Sequence, residues 1–206
     1  MNSIGIVNYG MGNLTSVANA IRFAGFEPVI LNHASELTTC EKLILPGVGA
    51  FAMAMKNLEE GHWTEALNEA VLVQKKPVLG LCLGMQLLFE SSEEHGIHKG
   101  LGYIPGTVKS ISAENIPFPV PHMGWNNLKF TGQSPLTESI DPEQNDVYFV
   151  HSFYCKCADP SDSIAVTDYG IEMDVMVQRG QLFGCQFHPE KSQSVGIAML
   201  TNFCKL

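Results

Sequence analysis

A chain of 206 residues that is 45% hydrophobic has enough apolar material for one sizeable core, and nothing in its composition suggests disorder. A formal net charge of -9, with no cluster of Lys or Arg, excludes a broad nucleic-acid surface, because such surfaces draw most of their affinity from phosphate neutralisation. The opening residues carry no basic flank or cleavage site and no apolar run reaches the ~20 residues needed to span a bilayer, so a cytoplasmic protein without a membrane partner is expected.

In chain order, Ile4 to Tyr9 is a short apolar run and Leu14 to Phe23 has helical spacing closed by Gly25. Pro28 to Leu31 and Lys42 to Leu45 read as further strands. Strands alternating with helices imply a parallel sheet covered on both faces. Phe51 to Val73 again has helical spacing, with a break expected at Gly61, and Pro77 to Leu81 is a fully apolar strand suited to the middle of the sheet. From Thr107 the texture becomes β-rich and antiparallel: Thr107 to Ile111, Asn127 to Phe130, Val147 to Tyr154, Ser163 to Asp168, Val175 to Gln178 and Leu182 to Phe187. Val195 to Phe203 is expected to close the fold as a helix, and no repeat or linker divides the chain, so residues 1–206 read as one domain.

The cysteines at 40, 82, 155, 157, 185 and 204 read as reduced thiols, since the chain shows no short-spaced disulfide framework. Cys155 and Cys157 would face one side of a strand without a second pair of zinc ligands, and His95 and His98 read as solvated loop residues. No metal or other cofactor is expected. Gly10-Met11-Gly12 is no dinucleotide fingerprint, because Thr15 stands where the third glycine belongs and no acidic residue ends the second strand.

Gly80-Leu81-Cys82-Leu83-Gly84 sits where a buried strand meets a helix-period run, in the form of a nucleophile elbow. The sharp turn strains the nucleophile's backbone, and flanking glycines leave room for neighbouring chain. At the start of a helix, Cys82 would stand where the backbone dipole favours an attacking thiolate. A thiolate needs an oriented base, and Gln186-Phe187-His188-Pro189-Glu190 offers His188 with Glu190 to hold it. Backbone amides of the glycine-rich loop Pro46-Gly47-Val48-Gly49 and of Leu83 are the natural donors to an oxyanion. An elbow cysteine with His and Glu would equally serve a stand-alone cysteine hydrolase.

Together, Pro46-Gly47-Val48-Gly49, Gly80 to Gln86 and Gln186 to Ser192 resemble the triad-type, or class I, glutamine amidotransferases. Asn8 to Leu14, Met85, Pro121 to Asn126 and Tyr148 to Tyr154 are similar to the branch that serves as glutaminase of imidazole glycerol phosphate synthase. The resemblance implies a flavodoxin-like α/β fold, a central, mostly parallel sheet flanked by helices, with a β-rich antiparallel C-terminal half. It implies a catalytic triad of Cys82, His188 and Glu190, with Gly47, Gly49, Leu83, Gln86, Glu94, His151, Ser152 and Phe153 cradling L-glutamine or its oxyanion. It also implies a heterodimer with a HisF-type cyclase, a TIM barrel that receives ammonia, across an interface holding Asn13, Trp125, Tyr148 and Lys191, and a flip of the Gly47-Val48-Gly49 backbone as gate. Related subunits that supply ammonia to other synthases share the same motifs. Two departures from the pattern are Asn8, where Asp is usual, and Cys185, where an aliphatic residue is usual.

Overall fold

In the computed structural model, residues 3–206 are described. The N-terminal half runs β1 (Ile4–Val7), α1 (Leu14–Phe23), β2 (Pro28–Leu31), β3 (Lys42–Leu45), α2 (Phe51–Glu60), α3 (Trp63–Asn68), β4 (Val78–Leu81) and α4 (Leu83–Leu87). The Asn13 side chain caps α1 by accepting from the Ser16 amide at 3.2 Å. Helix α2 ends at Gly61, as its spacing implies, and α3 runs on into a single π-helical stretch over Glu69–Val73.

The second half runs β5 (Phe89–Ser92), β6 (His98–Lys99), β7 (Ile104–Ser110), β8 (His122–Asn126), β9 (Lys129–Phe130), β10 (Val147–His151), β11 (Phe153–Cys157), β12 (Ser163–Asp168), β13 (Glu172–Arg179), β14 (Leu182–Cys185) and α5 (Gln193–Lys205). Strands β2-β1-β3-β4-β14 are mutually parallel and adjacent in that order, the doubly wound arrangement of flavodoxin. Beyond β14 the sheet turns antiparallel through β13 and β11 to β7, while β8 and β10 form a separate two-stranded ribbon.

Strand alternation explains why the parallel core reads as unbroken apolar runs. Ile4, Ile6, Ile44, Leu79 and Leu81 point to one face, against α1 and α5, whereas Val7, Leu43, Leu45 and Val78 point to the other, against α2 and α3. Both faces are covered, so neither parity can be polar. Among the described residues, no helix is long and apolar enough to cross a membrane.

Two sequence expectations need correction, and one strand is unanticipated. Val147 to Tyr154 is not one strand: the chain bends at Ser152, placing β10 in the ribbon and β11 in the main sheet. There His151 Nδ1 bonds the Phe153 carbonyl at 2.9 Å and the Ser152 carbonyl accepts from the Ile111 amide at 3.0 Å. His98 lies in the short strand β6, paired with Ser92 of β5, rather than in a loop. Segment His122–Asn126 pairs fully with β10, its Pro and Gly neighbours notwithstanding.

Phe203 of α5 is fully buried and meets Phe183 of β14 edge to face at 6.1 Å. Replacing it with alanine is expected to lower stability by about 3–5 kcal/mol, read as a fall in the urea midpoint.

Candidate active site

The β4–α4 turn is built so tightly that two of its residues must lack a Cβ. A Cβ on Gly80 would come 2.7 Å from the Gly84 backbone, and one on Gly84 would overlap the Leu45 carbonyl at the end of β3. Between them Cys82 is held at φ 53° and ψ −110°, a conformation side chains adopt only when the surroundings enforce it.

Pairing of β4 with β14 closes the gap in sequence between Cys82 and His188. Leu81 lies opposite Cys185, and the Cys82 amide continues the ladder to the Cys185 carbonyl at 2.8 Å. Three residues beyond, the His188 amide bonds the Tyr148 carbonyl of β10 at 2.9 Å, and Ser192 Oγ donates to the His188 carbonyl at 2.7 Å while accepting from the Tyr148 amide at 3.0 Å. Glu190 folds back in the turn after Pro189 so that its Oε1 lies 2.8 Å from His188 Nδ1, with both side chains almost wholly buried. This leaves Nε2 as the free face of the ring, and His188 and Cys82 line the same cavity.

Burial pulls the His188 imidazole toward neutrality, but its interactions with Cys82 and Glu190 outweigh it, raising the ring to about 9. His151 and His122 behave oppositely. Burial lowers them to about 3 and about 4, so both are neutral. His151 Nδ1–H donates to the Phe153 carbonyl, which makes its Nε2 the acceptor for His122 Nδ1–H at 2.9 Å.

The cavity holds about 370 Å³, enough for an amino acid, and brings together Gly49, Cys82, Leu83, Gln86, Glu94, His151, Ser152, Phe153 and His188. Leu83 opens α4 and carries an amide that the helix itself leaves unpaired. Glu94 lines the wall with Oε2 accepting from the Phe51 amide at 2.7 Å. Gly47 stands one layer behind, where a Cβ would strike the Tyr9 hydroxyl at 2.6 Å and Leu83 at 2.9 Å. The Tyr9 hydroxyl props the loop by donating to the Pro46 carbonyl at 2.8 Å.

Of the four expected interface residues, Trp125 is half exposed and stacks edge to face on Tyr148, with ring centroids 5.9 Å apart. Lys191 Nζ lies 5.7 Å over the Tyr148 ring. Asn13, the α1 cap, borders a small hollow with Val48 and Glu190. Asn8 builds the first turn, its Oδ1 accepting from the Gly10 amide and its Nδ2 donating to Asn32 Oδ1. Cys185 is core, its thiol held well above its usual range by burial, then by Glu190 and Cys82. Cys155 and Cys157 pack together in the α2–α3 core, and among the described residues no cluster of His, Cys, Asp and Glu could hold a metal. Sequence reading passes over Gln186, Ser192, Tyr9 and His122 as individual contributors. Gln186 and Ser192 are flagged only by lying within the His-Pro-Glu motif.

A strained cysteine on a flavodoxin-order sheet, sharing a cavity with an imidazole held by a carboxylate, fits an amidotransferase of the class I type. The family model for class-I glutamine amidotransferases matches residues 5–206. Imidazole glycerol phosphate synthase subunit HisH 1 of Campylobacter jejuni (strain RM1221) is 48% identical, over 98% of this chain and 100% of the relative. Subunit HisH of Sulfurimonas denitrificans is likewise 48% identical over 98% and 97% of the two chains, and that of Shouchella clausii 47% over 98% of each. The chain belongs to the class-I glutamine amidotransferases, in their HisH branch. A crystal structure of a glutamine amidotransferase superposes with TM-score 0.74 at 16% identity, over 98% and 99% of the chains, and PurLQS from Thermotoga maritima with 0.70 at 18%, over 98% and 95%. At such identities these two speak for the fold.

The raised His188 sets a pH dependence. Its ordinary value is 6.5, so the stabilisation of the imidazolium is fully present below about pH 6.5 and is lost as pH rises through about 9. Cys82→Ala removes one of the two partners that raise the ring. The His188 titration followed by NMR is expected to move down from about 9, and the loss of stability between pH 6.5 and 9 to flatten.

Proposed function

We propose that this chain is the glutaminase subunit of an imidazole glycerol phosphate synthase, with Cys82, His188 and Glu190 as its catalytic triad. The observation that carries the reading is that a strained cysteine and a carboxylate-held histidine, far apart in sequence, open into one amino-acid-sized cavity behind a glycine loop.

The Cys82 thiolate attacks the glutamine carboxamide carbon, and the oxyanion forms against the amides of Leu83 and the Gly47–Gly49 loop. His188 gives its proton to the amide nitrogen, the carbon–nitrogen bond breaks, and ammonia leaves a glutamyl thioester. Water then attacks the thioester, His188 takes its proton, and glutamate departs as the thiolate re-forms. Glu190 keeps the ring in place throughout. At the other end of the substrate, Gln86 has both side-chain donors directed at protein: its Nε2 bonds the Phe153 carbonyl at 3.1 Å and Gln186 Oε1 at 3.0 Å. Its oxygen is therefore the group left for the α-ammonium, alongside the Glu94 carboxylate.

Free ammonia at neutral pH is mostly ammonium, a poor nucleophile, so it is best passed directly to the enzyme that uses it. A HisF-type cyclase is the proposed acceptor, using ammonia to make imidazole glycerol phosphate and aminoimidazole carboxamide ribonucleotide in histidine biosynthesis. The half-exposed Trp125, with Met123 exposed on the same strand and Tyr148 and Lys191 beside it, supplies an apolar, cation-edged docking face. Backbone rearrangement at Gly47-Val48-Gly49 gates the reaction on the partner's own substrate.

Cys82→Ala is expected to lower glutamate release, assayed with the cyclase and its nucleotide present, by at least about a thousandfold. Retained turnover would dispose of the triad, and turnover at full rate without any partner would dispose of the gate. Trp125→Ala is expected to weaken association with the cyclase by about 2 kcal/mol, roughly thirtyfold in Kd by titration calorimetry. Binding to a different synthase, with none to the cyclase, would redirect the ammonia to that enzyme.

A further inference from the structure

The Cys82 sulfur has a hydrogen-bond donor, and it is not His188. Gln186, two residues before the base and wholly shielded from solvent, directs its side-chain Nε2 at Cys82 Sγ, 3.6 Å away. The orientation of this amide is fixed by a chain of bonds. Gln86 must present its NH2 group to the Phe153 carbonyl, which can only accept; the same NH2 group meets Gln186 at 3.0 Å, so the atom there must be the Gln186 oxygen. Its nitrogen is then left facing the sulfur. His188 Nε2, in contrast, makes no hydrogen bond in this arrangement.

We infer that Gln186 is a positioning residue for the nucleophile: its amide, aligned by Gln86, donates to the Cys82 sulfur and holds it, as thiolate, at the floor of the glutamine cavity. The inference rests on Cys82 being the nucleophile. A donor to sulfur stabilises the anion most while the charge is on sulfur, before attack and again when the thioester is hydrolysed, so the bond shields the resting nucleophile between turnovers. It also links sulfur to Gln86, the side chain that meets the far end of the substrate.

Two full-length variants separate this role from simple support of Gln86. Gln186→Met removes donor and acceptor with little change in length. Gln186→Glu, when ionised, keeps an acceptor for Gln86 but has nothing to donate to sulfur. Each is alkylated with iodoacetamide, modification of Cys82 is followed by peptide mass, and glutamate release is measured with the cyclase present. Both are expected to alkylate Cys82 about tenfold more slowly than wild type at pH 7, with the deficit shrinking as pH rises, because only the thiolate reacts. Gln186→Glu is further expected to lower kcat with little change in KM. A folded Gln186→Glu protein that alkylates at the wild-type rate overturns the inference; if that variant does not fold, Gln186→Met at the wild-type rate does so. Wild-type protein that alkylates readily yet releases no glutamate would instead count against the glutaminase reading, leaving the comparison between variants to decide the role of Gln186.

Discussion

The site hangs on the parallel pairing of two four-residue strands. Strand β4 delivers the thiol and β14 the imidazole, and the ladder between them runs one bond past the strand ends, from the Cys82 amide to the Cys185 carbonyl. Because the register is set by side chains buried on both faces, slipping β14 by one residue would turn Phe183 and Cys185 to the wrong side of the sheet. Cys82 and His188 are thus aligned by the same burial that stabilises the core, with no separate device.

Geometry and charge then reinforce each other. The elbow's unusual backbone needs rigid surroundings, which Gly80, Gly84 and Gly47 provide by letting three backbone segments touch. That close packing excludes water, and burial by itself would keep His188 neutral. Interactions with Cys82 and Glu190 reverse the outcome, so the imidazole carries charge where its buried neighbours His151 and His122 do not. The difference lies in partners: His151 meets a carbonyl and another neutral ring, His188 a carboxylate.

Much of this is legible in the sequence because local chemistry decides it. The apolar runs at Lys42–Leu45 and Val78–Leu81, the spacing of Leu14–Phe23 and the glycines around Cys82 each report their own structure. The β10–β11 break is hidden because residues 147, 149 and 151 before the bend and 155 and 157 after it are buried with the same parity, and apolar residues fill the gap at 153 and 154. Strand His122–Asn126 escapes notice because its stability comes from a partner more than twenty residues on, and strands as short as β6 carry no periodicity at all. Gln186 and Ser192 read as ordinary polar residues flanking a motif; only the fold shows one against sulfur and the other tying β10 to the base.

The bend at Ser152 has a consequence for engineering. Cys82 and His188 sit at the ends of parallel strands, whereas the cavity wall from Val150 to Phe153 is supplied by the joint between the ribbon and the antiparallel half. That part of the wall is therefore built apart from the elbow. A library confined to that joint explores which amide is admitted while leaving the interlocked glycines, where one added methyl collides with main chain, out of the search.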